Sequence, residues 1–156
     1  MSARPGDWRS EAVELRAIRP RHILFLCVAN SARSQMAEGI ARSLAPPGVK
    51  VSSAGSSPAP VRPQAIRALK EIGIDISCHR SKGVDSIDAG SVDAVITLCA
   101  EEVCPVFLGK AVRAHWGLPD PAAVAGTEET RLNAFRSVRD ELLRRLKVLF
   151  GHGEKT

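Results

Sequence analysis

Residues Ile23-Leu24-Phe25-Leu26 run without a polar side chain into Cys27-Val28-Ala29-Asn30-Ser31-Ala32-Arg33-Ser34, and a helical pattern from Gln35 to Ala41 follows at once. A short apolar run, a tight segment and then a helical period read as a buried strand, a loop and a helix. That order commits the chain to βα units, because parallel strands need a crossover connection. It also aims loop N–H groups and a helix N-terminus at one small volume, where an oxyanion of phosphate size fits. The loop from Val28 through Ala29, Asn30, Ser31 and Ala32 to Arg33 is the candidate binding element. Arg33 can grip two oxygens through its planar fork. The same positive field favours thiolate at Cys27. A cysteine at a strand end is otherwise often a small buried hydrophobe; Arg33 and Ser34 at this spacing argue against that.

The pattern continues along the chain. Arg21–Val28 is the first predicted strand and Ser34–Leu44 the first helix, broken by Pro46-Pro47-Gly48. Val49–Ala54 is a second strand, closed by Gly55-Ser56-Ser57-Pro58. Pro63–Ile72 reads as a helix with Ile66, Leu69 and Ile72 on one face and Gly73 as its stop. Val92–Leu98 is a third strand and Ala111–Trp116 a fourth. Thr127–Phe150 is a long helix with a core stripe of Leu132, Phe135, Val138, Leu142 and Leu146. The expectation is a single α/β domain, a four-stranded parallel sheet flanked by helices, with its site at the carboxyl ends of the strands. Cys27, Cys99 and Asp120 all follow predicted strands. Residues 1–20 are an extension in which Asp7–Ile18 suits an amphipathic helix, 21–150 are the domain, and 151–156 are a tail.

Length and composition are permissive. The 156 residues suit one domain with a real core, and 44% hydrophobic with 25% charged content is ordinary for a globular chain. No apolar stretch reaches membrane-spanning length, and Met1 to Pro20 lacks the apolar centre of a signal peptide. A cytoplasmic location follows as the expectation, with no membrane partner; there, four cysteines are read as catalytic or buried rather than bridged. The net charge of +5 comes from dispersed Lys and Arg, and there is no Tyr. Stacking platforms are therefore lacking, which argues for an anionic substrate rather than nucleic acid.

The second cluster is Leu98-Cys99-Ala100-Glu101-Glu102-Val103-Cys104-Pro105. Its cysteine spacing does not fit zinc, and neither a second pair nor a His-x₃-His follows, so no metal is expected. In a regular helix, i and i+5 Cα atoms lie about 9 Å apart, whereas a disulfide needs less than about 7 Å. A Cys99–Cys104 bond would require the segment to unwind or loop, which Pro105 favours by ending any helix before it. Two buried structural thiols are the other reading. The third cluster, His115-Trp116-Gly117-Leu118-Pro119-Asp120-Pro121, holds an Asp between prolines on a stiff extended loop. When a thiolate attacks a tetrahedral oxyanion, a carboxylic acid placed there can protonate the departing oxygen.

Taken together, Cys27–Gly39, the Cys99/Cys104 pair, His115-Trp116-Gly117 and Asp120-Pro121 resemble the thioredoxin-coupled arsenate reductases, which share the low-molecular-weight protein tyrosine phosphatase fold. The resemblance covers roughly Arg21 to Phe150. Gln35-Met36-Ala37-Glu38, the paired cysteines and Ala122-Ala123 after Asp120-Pro121 favour the reductases; phosphatases carry tyrosines after their Asp-Pro. The resemblance implies that Cys27 attacks arsenate held by Arg33 and the loop, that Ser34 hydrogen-bonds the thiolate, and that Asp120 protonates the leaving oxygen. It further implies a relay in which Cys99 attacks Cys27, Cys104 attacks Cys99, and thioredoxin reduces the final disulfide. No cofactor is needed, phosphate and sulfate compete with arsenate, and the chain acts as a monomer.

Several positions depart from the family pattern. The Cys99–Cys104 gap is shorter than in the best-known members. Ala29 replaces the usual loop glycine, so the backbone there must avoid a Gly-only conformation. Some members bind potassium beside the loop at positions corresponding to Asn30, Glu38 and Ser53 plus an Asp; here Lys82 stands in place of that Asp and brings its own ammonium. Cys78 matches no catalytic cysteine, and His79 and His115 read as structural hydrogen-bonders. The alternatives are a low-molecular-weight protein tyrosine phosphatase using only Cys27, Arg33 and Asp120, and a non-catalytic oxyanion or redox sensor.

Overall fold

The computed structural model describes residues 7–100 and 109–152. In chain order the main elements are α1 (Trp8–Ile18), β1 (His22–Cys27), α2 (Arg33–Leu44), β2 (Lys50–Gly55), α3 (Pro63–Lys70), β3 (Ala94–Cys99), β4 (Val112–Leu118) and α4 (Glu128–Leu149). The four strands form one sheet in the order β2-β1-β3-β4, and every neighbouring pair is parallel. Among the described residues, no helix is long and apolar enough to cross a membrane.

Every residue of β1 is buried, as a central parallel strand requires. Its alternation splits the core in two. Ile23 and Phe25 join the large cluster under the helices, with Met36, Ile40, Trp116, Phe135, Leu142 and Leu146. Leu24 and Leu26 face a smaller cluster with Ala54, Val92 and Val95, which Val84 and Ile87 help to close. All five expected stripe residues of α4 are buried. Each such side chain contributes roughly 1.5–3 kcal/mol of transfer free energy.

The expected elements all form, with shifted ends. Helix α3 stops at Lys70, and Ile72, expected on the core face, is 36% exposed. The reason is a Schellman closure: Gly73 takes φ 84°, its N–H bonds Lys70 O, and the Ile74 N–H bonds Leu69 O. Ala68 and Ile76, on either side of it, are fully buried in the large core. Strand β3 begins at Ala94 rather than Val92, because the Val92 N–H closes a short 3₁₀ turn onto Ala89 O. Strand β4 extends to Leu118, past Gly117, with a register shift opposite Thr97 and Cys99.

Residues 8–18 are helical. Asp7 caps α1 by accepting from Ser10 N (3.3 Å) and Ser10 Oγ (2.7 Å). The helix buries Ala12 and Leu15 against the large core and packs on α4 and β4.

Candidate active site

The Cys27 loop sits where β1 hands over to α2, at the carboxyl edge of the sheet. A cavity of about 150 Å³ opens there, lined by Cys27, Val28, Ala29, Ser31, Ala32, Arg33 and Asp120. It is smaller than the roughly 300–1,000 Å³ of drug-sized ligand sites, and so suits a small ion. The loop carbonyls are engaged away from the cavity. Ser57 N donates to Val28 O (2.9 Å), Ala59 N and Ser81 Oγ to Ala29 O (both 3.0 Å), and Arg62 N to Ser31 O (2.9 Å). With its oxygens tied down outside, the loop presents its N–H side inward, the geometry of an anion nest.

Asn30 is the brace. It takes a left-handed φ of 48°, which Asn tolerates, and Ala29 is not among the positive-φ residues. Its Nδ2 donates to Ser34 Oγ at 2.8 Å, and its Oδ1 accepts from Lys82 N (2.7 Å) and Gln35 Nε2 (3.0 Å). Since Ser34 Oγ accepts from Asn30, its own proton is free for Cys27 Sγ, 2.8 Å away. The Asn30 N–H also lies 3.3 Å from that sulfur. The Ser34 hydroxyl and the Asn30 N–H therefore converge on the Cys27 sulfur.

Arg33 is 3% exposed. Its Nη1 donates to Leu118 O at 2.9 Å and to Leu98 O at 3.4 Å, so the ends of β4 and β3 fix the guanidinium. Its Nη2 lies 4.0 Å from Asp120 Oδ2. Asp120 is held by its own turn: Oδ1 accepts from Ala122 N at 2.9 Å. Asp120 thus lines the same cavity as Cys27.

A second layer surrounds Glu38, which is 2% exposed. Ser53 Oγ donates to its Oε1 at 2.5 Å, Arg42 Nη2 lies 2.9 Å from Oε2, and Lys82 Nζ lies 3.5 Å from Oε1. Asn30, Glu38, Ser53 and Lys82 are therefore one connected group. Gln35 and His79 belong to it; His79 is the structural hydrogen-bonder the sequence suggested, whereas Gln35 was not expected in this role. Gln35 Nε2 also donates to Arg80 O (2.8 Å), while His79 Nδ1 meets Gln35 Oε1 at 3.0 Å. Burial pushes the His79 pKa down, against the pull of Glu38. No short motif marks these partners.

Cys99 ends β3 and is buried and disulfide-bonded, whereas Cys27 and Cys78 are free. Cys104 lies outside the described residues. Cys99 ends β3 opposite Leu118 of β4, just past the register shift. Cys78 is exposed and lines a separate open hollow with Glu38, His79 and Lys82. His115 bonds Thr97 Oγ1 through Nδ1 at 2.6 Å. No cluster of three metal-ligating side chains exists among the described residues.

A strand, a tight loop around a small cavity and a helix, with a free cysteine at the loop's start, define a phosphatase-type fold. Residues 22–155 match the family described as low molecular weight phosphotyrosine protein phosphatase. An arsenate reductase of Bacillus subtilis is 46% identical over 127 residues, which cover 80% of this chain and 91% of that protein. A solved arsenate reductase in the phosphate-binding state superposes with a TM-score of 0.69 at 34% identity, over 85% of this chain and 98% of that one. A thioredoxin-dependent arsenate reductase of Corynebacterium glutamicum gives 0.56 at 26% identity, over 89% and 70%. The chain belongs to the arsenate reductases of the low molecular weight phosphotyrosine protein phosphatase family.

Proposed function

We propose that this chain reduces arsenate to arsenite through a relay of Cys27, Cys99 and Cys104, regenerated by thioredoxin. The observation that carries the reading is the pairing of a free Cys27 inside an oxyanion cavity with a disulfide-bonded Cys99 on the neighbouring strand. The arsenate reductase relatives, one of them thioredoxin-dependent, support it.

In the first step the Cys27 thiolate attacks arsenic, Asp120 protonates a departing oxygen, and water leaves. Arg33 and the loop N–H groups stabilise the charge on the remaining oxygens. In the second, the Cys99 thiolate attacks Cys27 Sγ. The S–As electron pair passes to arsenic, which leaves as arsenite, As(III), while the two thiols become a Cys27–Cys99 disulfide. Cys104 then attacks Cys99, and a dithiol of thioredoxin supplies the two electrons that reset the pair.

The phosphatase alternative shares the cavity but needs an apolar wall for an aromatic ring. The residues after Asp120 are Pro121, Ala122, Ala123 and Val124, too small to stack well. The test is arsenate-dependent NADPH oxidation with thioredoxin and its reductase, beside aryl phosphate hydrolysis. Cys27→Ser should abolish both activities; Cys99→Ser and Cys104→Ser should abolish reduction alone. Normal cycling by Cys104→Ser would overturn the relay. A kcat/KM for a phosphotyrosine peptide near or above about 10⁴ M⁻¹s⁻¹, without arsenate-dependent thioredoxin oxidation, would make the chain a phosphatase.

A further inference from the structure

Helix α1 precedes the family match, which begins at residue 22. It is an addition to the shared domain, and it grips one strand. Strand β4 is an edge of the sheet, so alternate N–H groups on its outer side have no ladder partner. Glu11 Oε2 on α1 accepts one of them, from His115 N, at 3.3 Å. One residue on, Trp116 is fully buried, and the Trp8 ring meets it edge-to-face at 6.4 Å and 78°. The Arg145 guanidinium lies over both rings, 5.2 Å from one and 6.0 Å from the other. Trp116 Nε1 is buried with no hydrogen-bond partner among the described residues, so packing alone fixes this ring.

The grip falls where the sheet holds β4 least well. Pairing between β3 and β4 is regular up to Thr97↔His115, then shifts, resuming at Cys99↔Leu118. Across that bulge the ladder does not fix the strand. Just beyond it come two groups of the site: Leu118 O, which holds Arg33 at 2.9 Å, and Asp120. A displacement at 115–116 is therefore passed along the strand to Asp120.

We propose that Trp8 and Glu11 are positioning residues, which hold β4 across its bulge so that Asp120 lies in line to protonate the leaving oxygen. This rests on the reading of Asp120 as the acid, and the experiment separates the two. The kcat/KM of the full-length protein is measured on aryl phosphates ordered by the acidity of the leaving phenol, for wild type, Asp120→Asn, Trp8→Ala, Trp8→Phe and Glu11→Ala. Measurements are made at a temperature where circular dichroism shows each variant folded. A general acid matters most for poor leaving groups and little for dinitrophenyl phosphate.

Asp120→Asn should steepen the dependence on phenol acidity. Trp8→Ala should steepen it in the same sense, losing roughly tenfold on phenyl phosphate and under about threefold on dinitrophenyl phosphate. Trp8→Phe, which keeps an aromatic edge, should restore the wild-type slope. Glu11→Ala leaves the tryptophans in place and should show the same steepening, which covers the case of a Trp8→Ala chain that does not fold. An equal loss on all substrates in Trp8→Ala and Glu11→Ala, or no loss, would overturn the inference while Asp120→Asn still steepens the slope. A flat slope in Asp120→Asn would instead remove Asp120 as the acid, and this inference with it.

Discussion

Replacing Gly55 by alanine puts a methyl group against the main chain of the anion loop. A Cβ built at Gly55 lies 2.9 Å from both Asn30 N and Val28 C, and closer still to Val28 O. Comfortable non-bonded contact is about 3.5 Å, so relieving the tightest contact, with Val28 O, takes a backbone separation on the order of 1 Å. Gly55 has no positive φ, so the contact is the whole effect. Neither side yields easily. Val28 O is tied to Ser57 N at 2.9 Å, and the Gly55 N–H is bonded to Lys82 O at 2.9 Å. The overpacked Gly55→Ala chain should lose about 1–3 kcal/mol of stability. Displacing the loop toward the cavity by up to roughly 1 Å should lower kcat/KM about 10²-fold, equivalent to about 2.7 kcal/mol of transition-state stabilisation. Urea denaturation, aryl phosphate kinetics and competitive inhibition by phosphate read these effects separately. A folded Gly55→Ala protein with wild-type turnover and phosphate affinity would refute the reasoning.

At Gly39→Ala, Cβ would meet Ile76 Cγ2 at 2.6 Å and Leu69 Cδ1 at 2.9 Å, both in the core. Overpacking of about 1–3 kcal/mol should exceed the roughly 1 kcal/mol gain in helix propensity, so urea midpoints should fall; a rise would count against it. Lys82 Nζ already lies 3.5 Å from Glu38, so exchanging potassium for tetramethylammonium at fixed ionic strength should leave turnover and melting temperature unchanged. A several-fold potassium-specific gain would contradict that. Burial lowers the pKa of His22 and, first among several causes, of His79. The unfolded chain therefore binds more protons below its ordinary histidine pKa of about 6.5. Stability should be held above that pH and lost as pH falls through the depressed folded values; a melting temperature constant from pH 8 to 5 would refute this.

What the sequence revealed was whatever is local. The apolar run of β1, the Cys27–Arg33 spacing, Gly73 as a helix stop and the α4 stripe each carry their signal within a dozen residues, and each fell where the pattern placed it. Ile72 misled because the apolar period runs on into the Schellman closure, which depends on hydrogen bonds rather than on apolarity. The bracing of the loop was illegible for a different reason. Gln35 meets Arg80 and His79 across more than forty residues, and Gly55 matters only because β2 brings it against Val28. Nothing in the identity of those residues announces the neighbour that folding supplies. The grip of α1 on β4 was hidden likewise, since Trp8 and Trp116 become partners only in three dimensions.

The edge-to-face rings at that junction have an optical consequence. Trp8 and Trp116 are the only two tryptophans of the chain, and it has no tyrosine. All of its indole emission therefore arises from one spot, where α1 meets the strand that leads into Asp120. The protein carries a built-in fluorophore where α1 packs on β4, four residues before Asp120. A change in emission wavelength or lifetime on adding phosphate, or on oxidising the thiols, would report motion there and nowhere else in the molecule.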